Sequence, residues 1–138
     1  MGRRRIEVLE ENGSARGSGD AGEREVERIV ALGRALSDPI RVRMLGMIAG
    51  GRSCCDLPDL GVPAKEEDKG ICVCEFEGYY GMGQSKVSYH LGKLKEAGLV
   101  REERRGKWSF YSLDRESSAR LLIETGDHLG LETARPGA

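Results

Sequence analysis

Gly81-Met82-Gly83-Gln84-Ser85-Lys86-Val87-Ser88-Tyr89-His90-Leu91 is the stretch on which the fold turns. Two glycines around one methionine permit a backbone reversal that side-chain-bearing residues resist. After it, Val87, Leu91, Leu94 and Ala97 recur at helical spacing, so a helix opening at Gln84-Ser85 buries one stripe and leaves a polar, basic face. Gly98 is placed to close that helix in a left-handed cap. Upstream, Ile71 to Tyr80 reads as a short helix packed across the glycine turn, so the pair forms a helix-turn-helix corner.

Working outward, Leu99 to Leu113 carries Val100 on one side and Trp108, Phe110 and Tyr111 on the other of a charged turn, Glu103-Arg104-Arg105-Gly106-Lys107. That pattern is a β-hairpin. Asp114 caps a last helix from Arg115 to about Thr125, with Leu121 and Leu122 as its apolar contacts. In the other direction, Val26, Ile29, Val30, Leu32 and Leu36 mark a first amphipathic helix from Gly22. Ser37-Asp38-Pro39 then starts a second, whose apolar face is Ile40, Met44, Leu45, Met47 and Ile48, with Arg41 and Arg43 projecting elsewhere. Gly50-Gly51 ends it. Helix, helix, long loop, helix, turn, helix, hairpin and helix is the order of a winged helix-turn-helix, a mainly α fold with a small β-hairpin.

The domain is expected over residues 22 to 127, with a Cys-containing loop insert at 52 to 70. Flexible segments are expected at 1 to 21, where Arg3, Arg4 and Arg5 can touch phosphate, and at 128 to 138. No apolar run reaches membrane-spanning length and the first residues lack a secretory signal, so a cytoplasmic protein with no membrane partner is expected. In that compartment four cysteines read as free thiols, metal ligands or redox groups rather than a disulfide framework.

The 22 basic and 23 acidic residues nearly cancel, so any nucleic-acid footprint must be local. Between Gln84 and Lys107 there are seven basic residues against Glu96, Glu102 and Glu103, a local excess of four. A recognition helix needs donors and acceptors near its N-terminus. Gln84, Ser85, Lys86, Ser88, Tyr89 and His90 meet that need, and Arg104, Arg105 and Lys107 give the hairpin a basic tip. Double-stranded DNA is the partner these residues suit, although a protein-binding adaptor of the same fold has the same charge pattern. His90 also reads as an ordinary hydrogen-bonding surface group, and Trp108 as a packing anchor.

Ile71-Cys72-Val73-Cys74-Glu75 followed by Gln84 to Leu91 resembles the arsenic-responsive repressors of the ArsR/SmtB family. Ala35-Leu36-Ser37-Asp38-Pro39-Ile40-Arg41, Leu94-Lys95-Glu96-Ala97-Gly98-Leu99-Val100, and Arg105-Gly106-Lys107-Trp108 with Tyr111 extend the resemblance across about residues 25 to 113. It implies a homodimer, joined by the first and last helices, that represses on operator DNA and lets go when As(III) or Sb(III) binds. The family pattern places a third cysteine where this chain has Glu77, and a carboxylate is a poor soft ligand. Cys54 or Cys55 can supply the missing thiolate, which makes Cys54, Cys55, Cys72 and Cys74 the candidate ligands.

Residues two apart on a regular helix lie roughly 200° apart. If Cys72 and Cys74 both stand on the third helix, one ion must therefore unwind its first turn to take both. Alternatives stay open on the same residues. These are a cadmium, lead or zinc sensor, a dithiol redox sensor, and a structural tetrathiolate zinc site, whose usual two-to-four-residue ligand spacing is not found here. A zinc site on the last helix has only Asp127 and His128 to draw on and is expected to be absent. No phosphate loop or catalytic triad context appears, so enzyme activity is not expected.

Overall fold

The structure is a computed structural model and describes residues 16–51 and 70–132. Among the described residues, five helices and three strands follow in the order α1 (Arg16–Ala35), α2 (Pro39–Gly50), β1 (Ile71–Cys72), α3 (Val73–Tyr80), α4 (Gln84–Glu96), β2 (Val100–Arg105), β3 (Trp108–Leu113) and α5 (Arg115–His128). The winged helix-turn-helix expected from the sequence is this arrangement, with α3 and α4 as the corner and β2–β3 as the wing.

The helix starts follow their capping chemistry. Asp38 sits in extended backbone ahead of Pro39, and its carboxylate accepts from the Ile40 amide at 2.8 Å. That bond is the main reason the Asp38 carboxyl is held below its usual range. Asp114 does the same for α5 by accepting from the Ser117 amide at 3.1 Å. Gly81 ends α3 in the left-handed region at φ 65°, as the turn sequence requires.

Two boundaries differ from the sequence expectation. α1 begins at Arg16 rather than Gly22, so part of the segment expected to be an arm is helical. α5 runs on to His128, past Gly126, which is buried within it. The other difference has consequences for the site: Ile71 and Cys72 are not the first turn of a helix but a two-residue strand. They pair antiparallel with β3, Ile71 opposite Tyr111 and Cys72 opposite Phe110. The sheet order is β1-β3-β2, so β3 is central. A run this short has no periodicity to read, and the β-branched Val73 that follows satisfies either conformation.

The core sits between α2, α3, α4 and the sheet. Phe76, Met44, Ile71, Val87, Leu91 and Leu94 are fully buried, joined by Leu32, Ile48, Leu99, Val100 and Tyr111. The α4 stripe Val87, Leu91, Leu94 and Ala97 is buried as its spacing predicts, and Gly98 takes φ 85° after it. Of the apolar set on α1, only Leu32 is buried, whereas Val26, Val30 and Leu36 remain exposed. No described helix is long and apolar enough to cross a membrane.

Candidate thiol and nucleic-acid site

Cys72 is the N-cap of α3, in extended backbone at φ −79° and ψ 149°, and its amide donates to Glu75 Oε1 at 2.8 Å. Cys74 lies one residue into the helix. Because only one of the pair has helical backbone, the 200° argument fails: Cys74 Sγ donates to Cys72 Sγ at 3.0 Å. The two thiols converge without unwinding anything, which corrects the sequence-based expectation of a distorted first turn. Burial, followed by the hydrogen bond to Cys72, pushes the Cys74 thiol up to about 12, so at neutral pH it holds its proton. Both cysteines are free, Cys72 buried and Cys74 half-buried.

The pair forms part of the wall of a cleft of about 320 Å³. From α3 the lining includes Glu77, from α4 Gln84 and Ser88, and from the wing Glu102, Arg104, Lys107, Trp108, Ser109 and Tyr111. The thiols, α4 and the wing therefore line one cleft. Cys54 and Cys55 lie outside the described residues, as do Arg3, Arg4 and Arg5. Among the described residues no three or more His, Cys, Asp or Glu side chains cluster as ligands for an ion.

The helix face expected to meet a nucleic acid is presented for the most part. Gln84, Ser85, Lys86, Ser88 and Tyr89 are exposed at the start of α4, and Arg104 and Lys107 at the wing. His90 is the exception. It is 5% exposed, and its Nδ1 accepts from Arg41 Nη1 at 3.0 Å, so it faces the interior instead of a groove. Burial lowers its pKa, and the nearby Arg41 and Lys86 charges add to that against the pull of Asp38. Arg105 is half-buried with its guanidinium over the Phe110 ring, 3.8 Å from the centroid, and belongs to the packing of the wing as much as to its surface.

Arg41 was expected to project away from the core and does not. It is 8% exposed, and besides His90 its Nε donates to Ala35 O at 3.0 Å and its Nη2 to Arg34 O at 3.1 Å. These carbonyls end α1, where the helix dipole favours a cation. One arginine thus ties the end of α1 to the recognition helix. The only sequence hint was its place on a helix flanked by apolar residues.

Glu102 is a second residue that charge counting did not reveal. It accepts from Ser109 Oγ and from Lys95 Nζ, the latter at 2.9 Å, and these hydrogen bonds hold its carboxyl below the usual range. Lys95 is on α4, so Glu102 fastens the wing to the recognition helix. The same carboxylate adds to burial in raising the Tyr111 phenol to about 12. On the opposite side, α1 and α5 are joined by Arg28 with Glu124 and by His128 Nδ1 with Glu25 at 3.0 Å. His128 is thereby in a helix pair, not in a tail.

Residues 67–102 match the family model described as bacterial regulatory protein, arsR family. A putative arsenical resistance operon repressor of Halobacterium salinarum is 40% identical over 62 residues, covering 45% of this chain and 50% of that one. The arsenical resistance operon repressor of Bacillus subtilis is 43% identical over 53 residues, 38% of this chain and 50% of that one. The chain spans about half the length of these curated relatives. Among solved structures, the homodimeric winged helix-turn-helix DNA-binding domain Mb0332 of Mycobacterium bovis, a possible ArsR-family regulator, superposes with a TM-score of 0.51 at 19% identity, covering 100% of this chain and 99% of that one. Likeness at that identity speaks for the fold alone, and the family-model match is confined to residues 67–102. The chain thus has a winged helix-turn-helix fold, and its segment 67–102 is similar to the arsR family of bacterial regulatory proteins.

Proposed function

We propose that the chain is a cytoplasmic transcriptional repressor, with no enzymatic activity of its own, that binds operator DNA as a homodimer and leaves it when As(III) or Sb(III) is captured by cysteine thiolates. The observation that carries this reading is the shared cleft: two soft donors 3.0 Å apart open into the same space as Gln84 and Ser88 of the recognition helix and Arg104 and Lys107 of the wing. Thiolate sulfur selects soft ions over hard ones. Two sulfurs each about 2.3 Å from one ion can be at most about 4.6 Å apart, so the pair is close enough to chelate.

Coupling then needs no helix to melt. An ion seated on Cys72 and Cys74 fills part of the cleft between α4 and the wing, and any movement of Cys72 is passed to β3 through their pairing. Coupling of about 1–3 kcal/mol changes operator affinity by about 5- to 150-fold. Cys54 or Cys55 supplies a third thiolate for the inorganic ion. Gln84, Ser85, Lys86, Ser88 and Tyr89 read bases and phosphates, with Arg104 and Lys107 on the backbone; His90 and Arg105 support them from behind. The exposed Val26 and Val30 of α1 and Leu122 of α5, two helices that already pack together, suit a dimer seam.

The test is operator binding followed by fluorescence anisotropy under reducing conditions. Stoichiometric arsenite should release the wild-type protein and leave Cys72→Ser and Cys74→Ser bound. Unchanged affinity of the wild type in arsenite would overturn the sensor reading. Unfolding of either serine variant would point instead to a structural ion.

A further inference from the structure

We infer that Glu102 is a specificity-determining residue for DNA binding: its carboxylate holds Lys95, a cation of the recognition helix, away from phosphate and so weakens sequence-blind binding more than binding to the operator. The inference rests on the reading of α4 and the wing as a DNA-binding surface and adds to it a residue whose part is to oppose the wrong contacts.

At 100° per residue, Lys95 lies within about 20° of both Gln84 and Ser88 around α4, on the flank that faces the wing. Lys95 Nζ donates to Glu102 Oε1 at 2.9 Å, and the other carboxylate oxygen accepts from Ser109 Oγ on β3. The two side chains differ in freedom. Glu102 is 20% exposed and held from β3 as well as from α4, whereas Lys95 is 53% exposed on a long flexible stem. The carboxylate is therefore the fixed member, and the ammonium is the one able to swing to a phosphate. Held below its usual range first by Ser109 and then by Lys95, the Glu102 carboxyl stays ionised at neutral pH.

The place of Lys95 along the helix decides which binding mode would recruit it. It stands in the last turn of α4, about 16 Å along the axis from Gln84. A helix that meets base edges with its N-terminal residues reads through Gln84, Ser85 and Ser88, and those contacts do not need Lys95. Sequence-blind binding differs, because it consists almost wholly of phosphate neutralisation by Lys and Arg. A helix laid along a strand recruits the cations of its whole flank. Keeping one of them on a carboxylate removes it from that set, and an anion in the cleft wall adds repulsion. An ion pair this exposed adds little to stability, so its effect is read in binding and not in folding.

Glu102→Gln keeps an acceptor for Lys95 and Ser109 and removes only the charge. Wild type, Glu102→Gln, Lys95→Met and the double variant, each shown by circular dichroism to be folded, are titrated by fluorescence anisotropy with the operator duplex and with a scrambled duplex of equal length, between about 50 and 200 mM salt. On the scrambled duplex, Glu102→Gln should steepen the slope of log affinity against log salt by about 0.9 and bind about fivefold tighter near 0.15 M salt, with operator affinity changed less than about twofold. Lys95→Met alone should leave the slope within about 0.3 of wild type, because that cation is already withheld; in the Glu102→Gln background it should restore the wild-type slope. An unchanged slope in Glu102→Gln, an equal loss of slope on Lys95→Met in both backgrounds, or a gain that survives in the double variant overturns the inference. With a wild type that prefers its operator, those results leave the DNA-reading proposal standing. A wild type that binds both duplexes alike refutes that proposal and this inference with it, so the two failures are distinguishable.

Discussion

Replacing Arg41 by methionine keeps most of the stem volume and removes the guanidinium that joins α1 to the recognition helix. Three acceptors lose a donor, but they do not lose equally. Arg34 O keeps the Ser37 hydroxyl at 2.7 Å, so it stays satisfied. Ala35 O and His90 Nδ1 belong to residues only 1% and 5% exposed, where water reaches poorly. A buried acceptor left without its donor costs about 1–3 kcal/mol, and two of them give about 4 kcal/mol as a central value. For a domain of this size each kcal/mol is worth about 4–8 °C, so the midpoint of thermal unfolding should fall by about 16 °C or more. Circular dichroism of Arg41→Met against the wild type measures this. A His90→Leu background should shrink the penalty, since one of the two orphaned acceptors is then absent already, and a double-mutant cycle reads that interaction directly. Operator affinity should fall together with stability, because α4 loses its anchor opposite the reading face. A drop under 4 °C, or a cycle with no interaction energy, would refute the view that this arginine fastens the recognition helix.

Three further outcomes test other parts of the structure. His90 has its pKa lowered in the fold, chiefly by burial, so the unfolded chain takes up the proton first. Stability contributed by the neutral ring is complete above about pH 6.5 and is lost as pH falls toward the folded-state value; His90→Gln, which still accepts from Arg41, should flatten the dependence of the unfolding midpoint between pH 7.5 and 5. At Gly98, φ is 85° and an added Cβ would stand 2.8 Å from Ser117 Oγ, so Gly98→Ala should lose about 1–2 kcal/mol in urea denaturation. Arg104→Ala and Lys107→Ala, both at exposed wing positions, should each lower the slope of log affinity against log salt by about 1, with little change in sequence preference; an unchanged slope would remove the wing from the phosphate contacts.

The features legible in the sequence are those written in periodicity and capping. The α4 stripe, the Gly81 reversal, the Asp38 and Asp114 caps and the hairpin all follow from local chemistry, and local chemistry governs them in the structure. What was not legible depends on contacts between segments distant in the chain. Ile71–Cys72 becomes a strand because β3 offers it a partner some forty residues later, and no pattern two residues long announces that. The two thiols converge for the same reason, so the pair of sulfur donors looked more widely separated from sequence than it is. Arg41 and His90 both carry polar labels that suggest exposure, yet each buries itself by satisfying the other. Glu102 counted only as a charge against the basic wing, whereas its place opposite Tyr111 and beside Lys95 makes it a fastener.

The order of the sheet bears on how copies of this molecule meet. Among the described residues β3 is in the middle and two rims remain, and each discourages strand-to-strand addition in its own way. One is β1, only two residues long and too brief to template another chain. The other is β2, whose Arg101, Glu102, Glu103, Arg104 and Arg105 line up ionised groups of both signs along the outer margin. On the proposed reading, these rims keep copies from adding strand to strand, so a homodimer would form through the helical side and leave the wing to the DNA.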